Sequence, residues 1–217
     1  MATARVEEPA DGDGEAIVVA LVVAETEAEG PGRRFALWVQ GCPMRCAGCC
    51  NPEMLEFRGG ARRRPDALVA EAVAAGVEGV SILGGEPFAQ AAALAGFAEG
   101  VRAAGLSVMI YSGFTIEELR ASPRPGVARL LAAADLLVDG RFDAAQRSAR
   151  RRFIGSDNQR LHHLSERYAA GDPALAGSQT IELRLRGGEL TINGWPALGA
   201  RTRLGPARPR DPGGDEP

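Results

Sequence analysis

Apolar positions fall along the chain in two rhythms that alternate. Ile17-Val18-Val19-Ala20-Leu21-Val22-Val23 is a β-branched run that suits a strand buried on both faces. After a turn at Glu29-Gly30-Pro31-Gly32, residues 34–40 form a second apolar run and predict a second strand. Residues 66–75 carry apolar side chains at helical spacing until Gly76 stops them, and Val80-Ser81-Ile82-Leu83 returns to a buried strand ending at Gly84-Gly85. The cycle repeats as a helix over 90–104, a strand over 106–111, a short helix capped by Thr115 with Glu118 completing a capping box, a helix over 127–134 and a strand over 135–139. Strand and helix exchanged at this interval predict an α/β fold, with βαβ units around a parallel sheet and right-handed crossovers.

Toward the end the period changes. Residues 180–185 alternate strictly, Gly187-Gly188 can make a two-residue turn and residues 190–192 return, which predicts an antiparallel hairpin. Residues 1–15 hold five acids and no periodicity, and residues 201–217 are rich in Arg, Pro, Gly and Asp. The expected division is a disordered tail over 1–15, a core over 16–168, a hairpin extension over 169–200 and a disordered tail over 201–217.

Charge and composition narrow the function. A net charge of -3 provides no overall positive field for nucleic acid or an anionic membrane. All basic residues are arginine, so chemistry built on a Schiff-base or phosphate-loop lysine is excluded. The longest apolar run, residues 16–24, is about half the ~20 residues needed to cross a bilayer, and the first residues lack a signal-like apolar stretch; the expected location is cytoplasmic. All four cysteines lie between Cys42 and Cys50, too close together to staple a domain, so they mark a site.

In parallel α/β folds ligands bind outside the carboxyl ends of the strands. There the pattern places Cys42, Cys46 and Cys49, then Gly84-Gly85-Glu86-Pro87, then Tyr111-Ser112-Gly113, then Asp139-Gly140. Gly84-Gly85 is a plain turn or a place where a ligand approaches the backbone, and Glu86 can accept hydrogen bonds from a cationic amine. Asp139 caps a turn or touches a ligand. Three thiolates spaced by three and two residues can converge on zinc or an iron–sulfur cluster, or remain buried thiols. Zinc wants a fourth ligand, and the only histidines, His162 and His163, are far away in sequence. Cys50 diverges from Cys49 and reads as a small apolar residue or an oxidation-prone thiol. Six Arg against two Asp over 141–160 read as a solvated face, or as a dock for an acidic partner or a carboxylate.

Cys42-Pro43-Met44-Arg45-Cys46-Ala47-Gly48-Cys49 resembles the CxxxCxxC signature of radical S-adenosylmethionine (SAM) enzymes, and more closely the activating enzymes of anaerobic ribonucleoside-triphosphate reductase. The segments Glu29–Gly32, Val39–Cys42, Gly48–Asn51, Gly84–Pro87, Tyr111–Phe114, Leu137–Gly140 and Ile154–Arg160 follow that family's order and spacing across residues 17–164. The resemblance implies a partial (β/α) barrel and a [4Fe-4S] cluster on Cys42, Cys46 and Cys49. Its open iron would chelate SAM, with Gly84, Gly85 and Glu86 at the SAM amino group and Ser112, Asp139 and Asn158 in matching segments. It further implies an electron from flavodoxin or a similar donor, cleavage of SAM to methionine and a 5′-deoxyadenosyl radical, and hydrogen abstraction from a glycine of a large glycyl-radical partner such as anaerobic ribonucleotide reductase. Cys50 stands where that family often has an aromatic residue, and the chain exceeds the minimal activating enzymes by its hairpin and tails. Extended relatives of this kind point also to a peptide or small-molecule substrate. A non-catalytic zinc or iron–sulfur module, or an electron carrier, would need no amine pocket of the Gly84–Pro87 kind.

Overall fold

The computed structural model describes residues 16–148, 150–186, 189–194 and 201–203. Strand β1 (Ile17–Thr26) turns through Glu29-Gly30-Pro31-Gly32 into β2 (Arg34–Val39). The two run antiparallel, with Val22 opposite Leu37 and Thr26 opposite Arg34. A short turn can only return the chain antiparallel, because a parallel neighbour needs a crossover of about a dozen residues. Burial on both faces therefore belongs to β2, whose six residues are all buried, while β1 interleaves buried and half-buried positions, which corrects the expectation for it.

Beyond the cysteine loop come β3 (Ala61–Arg63), α1 (Pro65–Ala74), β4 (Gly79–Gly84), α2 (Ala91–Ala103), β5 (Ser107–Tyr111), α3 (Ile116–Ala121), α4 (Val127–Ala133), β6 (Leu136–Asp139) and β7 (Arg160–His163). Strands β2, β4, β5 and β6 are parallel neighbours, as the alternation predicts. The capping box forms: Thr115 Oγ1 accepts from Glu118 N at 3.3 Å and Thr115 N donates to Glu118 Oε2 at 2.7 Å. Strands β3 and β7 carry no apolar alternation; they are short, polar edges pairing antiparallel with β1 and β6. The sheet order is β3-β1-β2-β4-β5-β6-β7, an open mixed α/β sheet.

Period-2 alternation sends Phe35, Leu37, Val80, Ile82, Val108 and Ile110 to the helix-covered face, against Leu68, Leu94, Phe97, Leu119 and Leu130. The other face shows Ala36, Trp38 and Leu83 beside Met109 and Val138, which pack on Phe153 and Ile154. That second face is the one that holds the site.

Strands β8 (Ile181–Arg186) and β9 (Glu189–Gly194) pair antiparallel with Leu183 opposite Ile192, giving the expected hairpin; its turn at 187–188 lies outside the described residues. A third strand, β10 (Arg201–Arg203), pairs with β9, so 201–203 is a strand where a tail is expected. Arg-Thr-Arg has no apolar signal from which to read it. The remaining expected tail residues, 1–15 and 204–217, lie outside the described residues. Among the described residues no helix is long and apolar enough to cross a membrane.

Candidate active site

The cysteine loop leaves β2 through Gly41, at φ +93°, where a Cβ would lie 2.5 Å from the Phe57 ring. Its base is closed by backbone bonds from Gly41 N to Met54 O (2.9 Å) and Cys42 N to Leu55 O (3.0 Å). Gln40 Nε2 reinforces the closure by donating to Glu53 O at 3.2 Å and Glu56 O at 2.7 Å. The loop is therefore held in shape, which a multi-thiolate site requires.

Cys42 is buried, whereas Cys46, Cys49 and Cys50 are half-buried. Cys49 N donates to Cys46 O at 3.2 Å, folding the two residues into one turn, and Asn51 N donates to Cys49 Sγ at 3.4 Å. Burial pushes the Cys42 and Cys49 thiols up, opposed by backbone N–H groups of Met44 and Arg45 at Cys42 and of Asn51 and Cys50 at Cys49. Such N–H groups directed at sulfur favour thiolate ligands. Burial, then the neighbouring Cys49, drives the Cys50 thiol up to about 12. Among the described residues no three His, Cys, Asp or Glu side chains are gathered for a single metal ion. The donor set fits a cluster better: three sulfurs on one loop face one cavity, and a cluster takes each thiolate at a different iron.

That cavity, of about 210 Å³, is lined by Cys42, Cys46, Cys49 and Cys50, by Gly84, Gly85 and Glu86 after β4, and by Ser112 and Gly113 after β5. Gly140, directly after β6, lines it too, so four strand ends meet there. Gly84 has φ +107°, and a Cβ on Gly85 would come 2.3 Å from Gly41 O. Gly85 N donates to Val39 O (2.8 Å) and Glu86 N to Gly41 O (2.9 Å). The glycine pair is needed chiefly so that the root of the cysteine loop can lie against the end of β4, a packing reason additional to ligand approach.

Glu86 is 1% exposed. Its Oε1 accepts from Phe88 N (2.9 Å) and Ser112 Oγ (2.9 Å), and its Oε2 from Gly113 N (2.8 Å). Burial outweighs these donors and raises its pKa to about 7. Glu86 is thus a carboxyl poised near neutrality that ties β4 to β5 and lines the cavity.

Two expected positions do not reach the cavity. Asp139 is fully buried behind it, accepting from Ile116 N at 2.7 Å and from Arg160 Nε at 3.0 Å, with His162 Nε2 3.0 Å away. Although burial pushes its carboxyl up, the Arg160, Ile116 and His162 contacts hold it below the usual range, so it anchors α3 and β7. Asn158 is exposed and donates through Nδ2 to Arg141 O at 2.8 Å. Its neighbour Gln159 lines the cavity instead, with Nε2 donating to Gly140 O at 2.8 Å.

The structure adds residues that sequence reasoning passes over. Glu29, within the Glu29–Gly32 turn, faces the cavity and accepts from Gly194 N at 2.9 Å. Burial is the main cause that raises its pKa to about 7. Its signals are an acid immediately before Gly-Pro-Gly and the place of Glu29–Gly32 among the family-matching segments. Gly194 and Gln179 also line the cavity, bringing the C-terminal sheet into its wall.

The fold and site define an α/β protein with a cysteine-lined cavity at its strand ends, and the comparisons place the chain in an iron–sulfur family. The family model described as a 4Fe-4S single cluster domain matches residues 28–162, and the chain belongs to that family. The anaerobic ribonucleoside-triphosphate reductase-activating protein of Vibrio cholerae is 30% identical over 145 residues, spanning 63% of this chain and 91% of that protein. The protein of the same name in Escherichia coli is 27% identical over 144 residues, spanning 62% and 91%. The pyruvate formate-lyase-activating enzyme of Listeria monocytogenes is 36% identical over 90 residues, 39% of this chain and 36% of that enzyme. A crystal structure of QueE from Escherichia coli overlaps 46% of this chain and 53% of its own at 20% identity with a TM-score of 0.40, too partial to define the fold. The chain is a radical SAM enzyme of the activating type.

Proposed function

We propose that this enzyme reductively cleaves SAM and removes a hydrogen atom from a glycine of a glycyl-radical partner resembling anaerobic ribonucleotide reductase. The observation that carries the reading is the meeting of three loop cysteines with Gly84, Gly85, Glu86, Ser112 and Gly113 around one cavity at the carboxyl ends of parallel strands. Cys42, Cys46 and Cys49 would hold a [4Fe-4S] cluster, which with SAM supplies one-electron bond cleavage and hydrogen-atom abstraction. In this reading the open sheet is the radical SAM type of partial (β/α) barrel.

The chain's own residues do the placing. Glu86, fixed by Ser112 and Gly113, offers a carboxylate to the cationic amine of SAM; a cation there holds ionised a group that burial otherwise brings to about 7. Trp38, Leu83, Tyr111, Phe153 and Ile154 line the cavity with apolar surface and exclude water. Cys50 shares the lining with a high thiol pKa, so it is read as packing.

A second reading, a peptide or small-molecule substrate, is favoured by one observation: Gln179 and Gly194, which lie beyond the matched residues 28–162, form part of the cavity wall. The test is anaerobic reconstitution with iron and sulfide, then incubation with dithionite and SAM. The expected result is 5′-deoxyadenosine and methionine in equal amounts, lost in Cys46→Ala and retained in Cys50→Ala. An intact cluster that yields no 5′-deoxyadenosine would contradict the reading. A glycyl-radical doublet on a reductase-type partner, measured by electron paramagnetic resonance, separates the two substrates.

A further inference from the structure

We infer that the arginine-rich loop between β6 and β7 is the docking surface for an acidic one-electron carrier protein. The inference rests on the reading above and goes beyond it by assigning the surface through which the electron arrives. Residues 141–152 contain five arginines and one aspartate, in a chain whose net charge is -3. An acidic partner is weakly repelled by the molecule as a whole and is drawn in only where the local field is reversed.

Arg141, Arg147 and Arg150 are exposed. Arg151 and Arg152 spend donors on carbonyls, Arg151 Nη1 on Asp157 O (3.1 Å) and Gln159 O (2.8 Å), and Arg152 Nη1 on Ala174 O (3.2 Å). Those bonds hold the loop without neutralising its charge. The aspartate of the segment, Asp143, is occupied by Ala145 N at 2.9 Å and Gln146 Nε2 at 2.7 Å.

Position selects the kind of partner. A Cβ on Gly48, between Cys46 and Cys49, would lie 3.0 Å from Ala144 Cβ, so the basic loop rests on the cysteine loop. Electron transfer slows steeply with distance, and a carrier must therefore dock on surface close to the sulfurs. Arg45, on the cysteine loop itself, is paired with Glu56 at 3.0 Å, whereas the adjoining 141–152 loop carries five arginines against one aspartate. In the step served, one electron leaves the reduced carrier and enters the cluster; the carrier is oxidised by one electron, and no bond or proton moves.

The experiment uses the full chain, reconstituted anaerobically, with an acidic flavodoxin as probe. Arg141→Glu/Arg150→Glu is compared with wild type and with Arg141→Gln/Arg150→Gln. Flavodoxin binding by calorimetry is expected to weaken with salt in the wild type and to fall about tenfold or more in the double-Glu variant, with the double-Gln variant between. The rate of cluster reduction by flavodoxin should follow binding, while dithionite-driven SAM cleavage is unchanged. A wild type that does not bind flavodoxin, or a double-Glu variant with intact cluster that binds it as wild type does, overturns the inference. Loss of radical transfer to a protein substrate under dithionite would assign the surface to that substrate and overturn it equally. Absence of SAM cleavage by dithionite in every protein would instead refute the enzymatic reading and leave the binding result to be read separately.

Discussion

Glu86 carries three hydrogen bonds on two oxygens inside an apolar cavity, and Glu29 carries one from Gly194 across the same cavity. Both have pKa values raised from 4.5 to about 7. An acid with a raised folded pKa keeps its proton in the folded protein while the unfolded chain has lost it, so it contributes stability at low pH that fades as pH rises from about 4.5 to 7. The ligand-free protein is expected to lose on the order of 2 kcal/mol per group across that window. Thermal unfolding at stepped pH should show Tm falling between pH 5 and 7, with a shallower fall in Glu29→Gln. A Tm that climbs through the window would contradict the assignment. At this scale the three cysteines and Glu86 were legible because their chemistry is rare and their spacing regular. Asp139 and Gln159 were not: a buried carboxylate anchoring α3 and a ligand-facing one look alike in sequence, and the side chain that lines the cavity is one position from the expected Asn158.

The elements bring the site together through backbone crowding. Gly85 lies where a Cβ would meet Gly41 O at 2.3 Å, so Gly85→Ala must push the cysteine loop off the end of β4. The substitution is expected to cost about 2 kcal/mol, in the range for overpacked sites. It should also lower iron retained after reconstitution, measured as iron per chain; full iron content at wild-type stability would contradict the packing argument. Thr115 and Glu118 make a helix start readable from four residues, and the structure shows it. The parallel strands were readable from alternation, because helix and strand periods differ. Strands β3, β7 and β10 were not, because three or four mostly polar residues at an edge are fixed by their partners rather than by their own side chains.

At the scale of the molecule, one face of the sheet is closed by helices around Leu94, Phe97 and Leu130, and the other is left to form a cavity. The C-terminal sheet adds to that cavity's wall, with Thr26 Oγ1 donating to Glu182 and Gly194 N to Glu29. Sequence period marked this hairpin as an appendage, but contact between residues 29 and 194 comes from the folded chain alone. The proposed chemistry depends on one iron of a cluster on Cys42, Cys46 and Cys49 being open to SAM. Electron paramagnetic resonance of the dithionite-reduced, reconstituted enzyme tests this most directly. It should show a reduced four-iron cluster whose g values shift when SAM is added. A full-intensity cluster signal that stays unchanged with saturating SAM would contradict it.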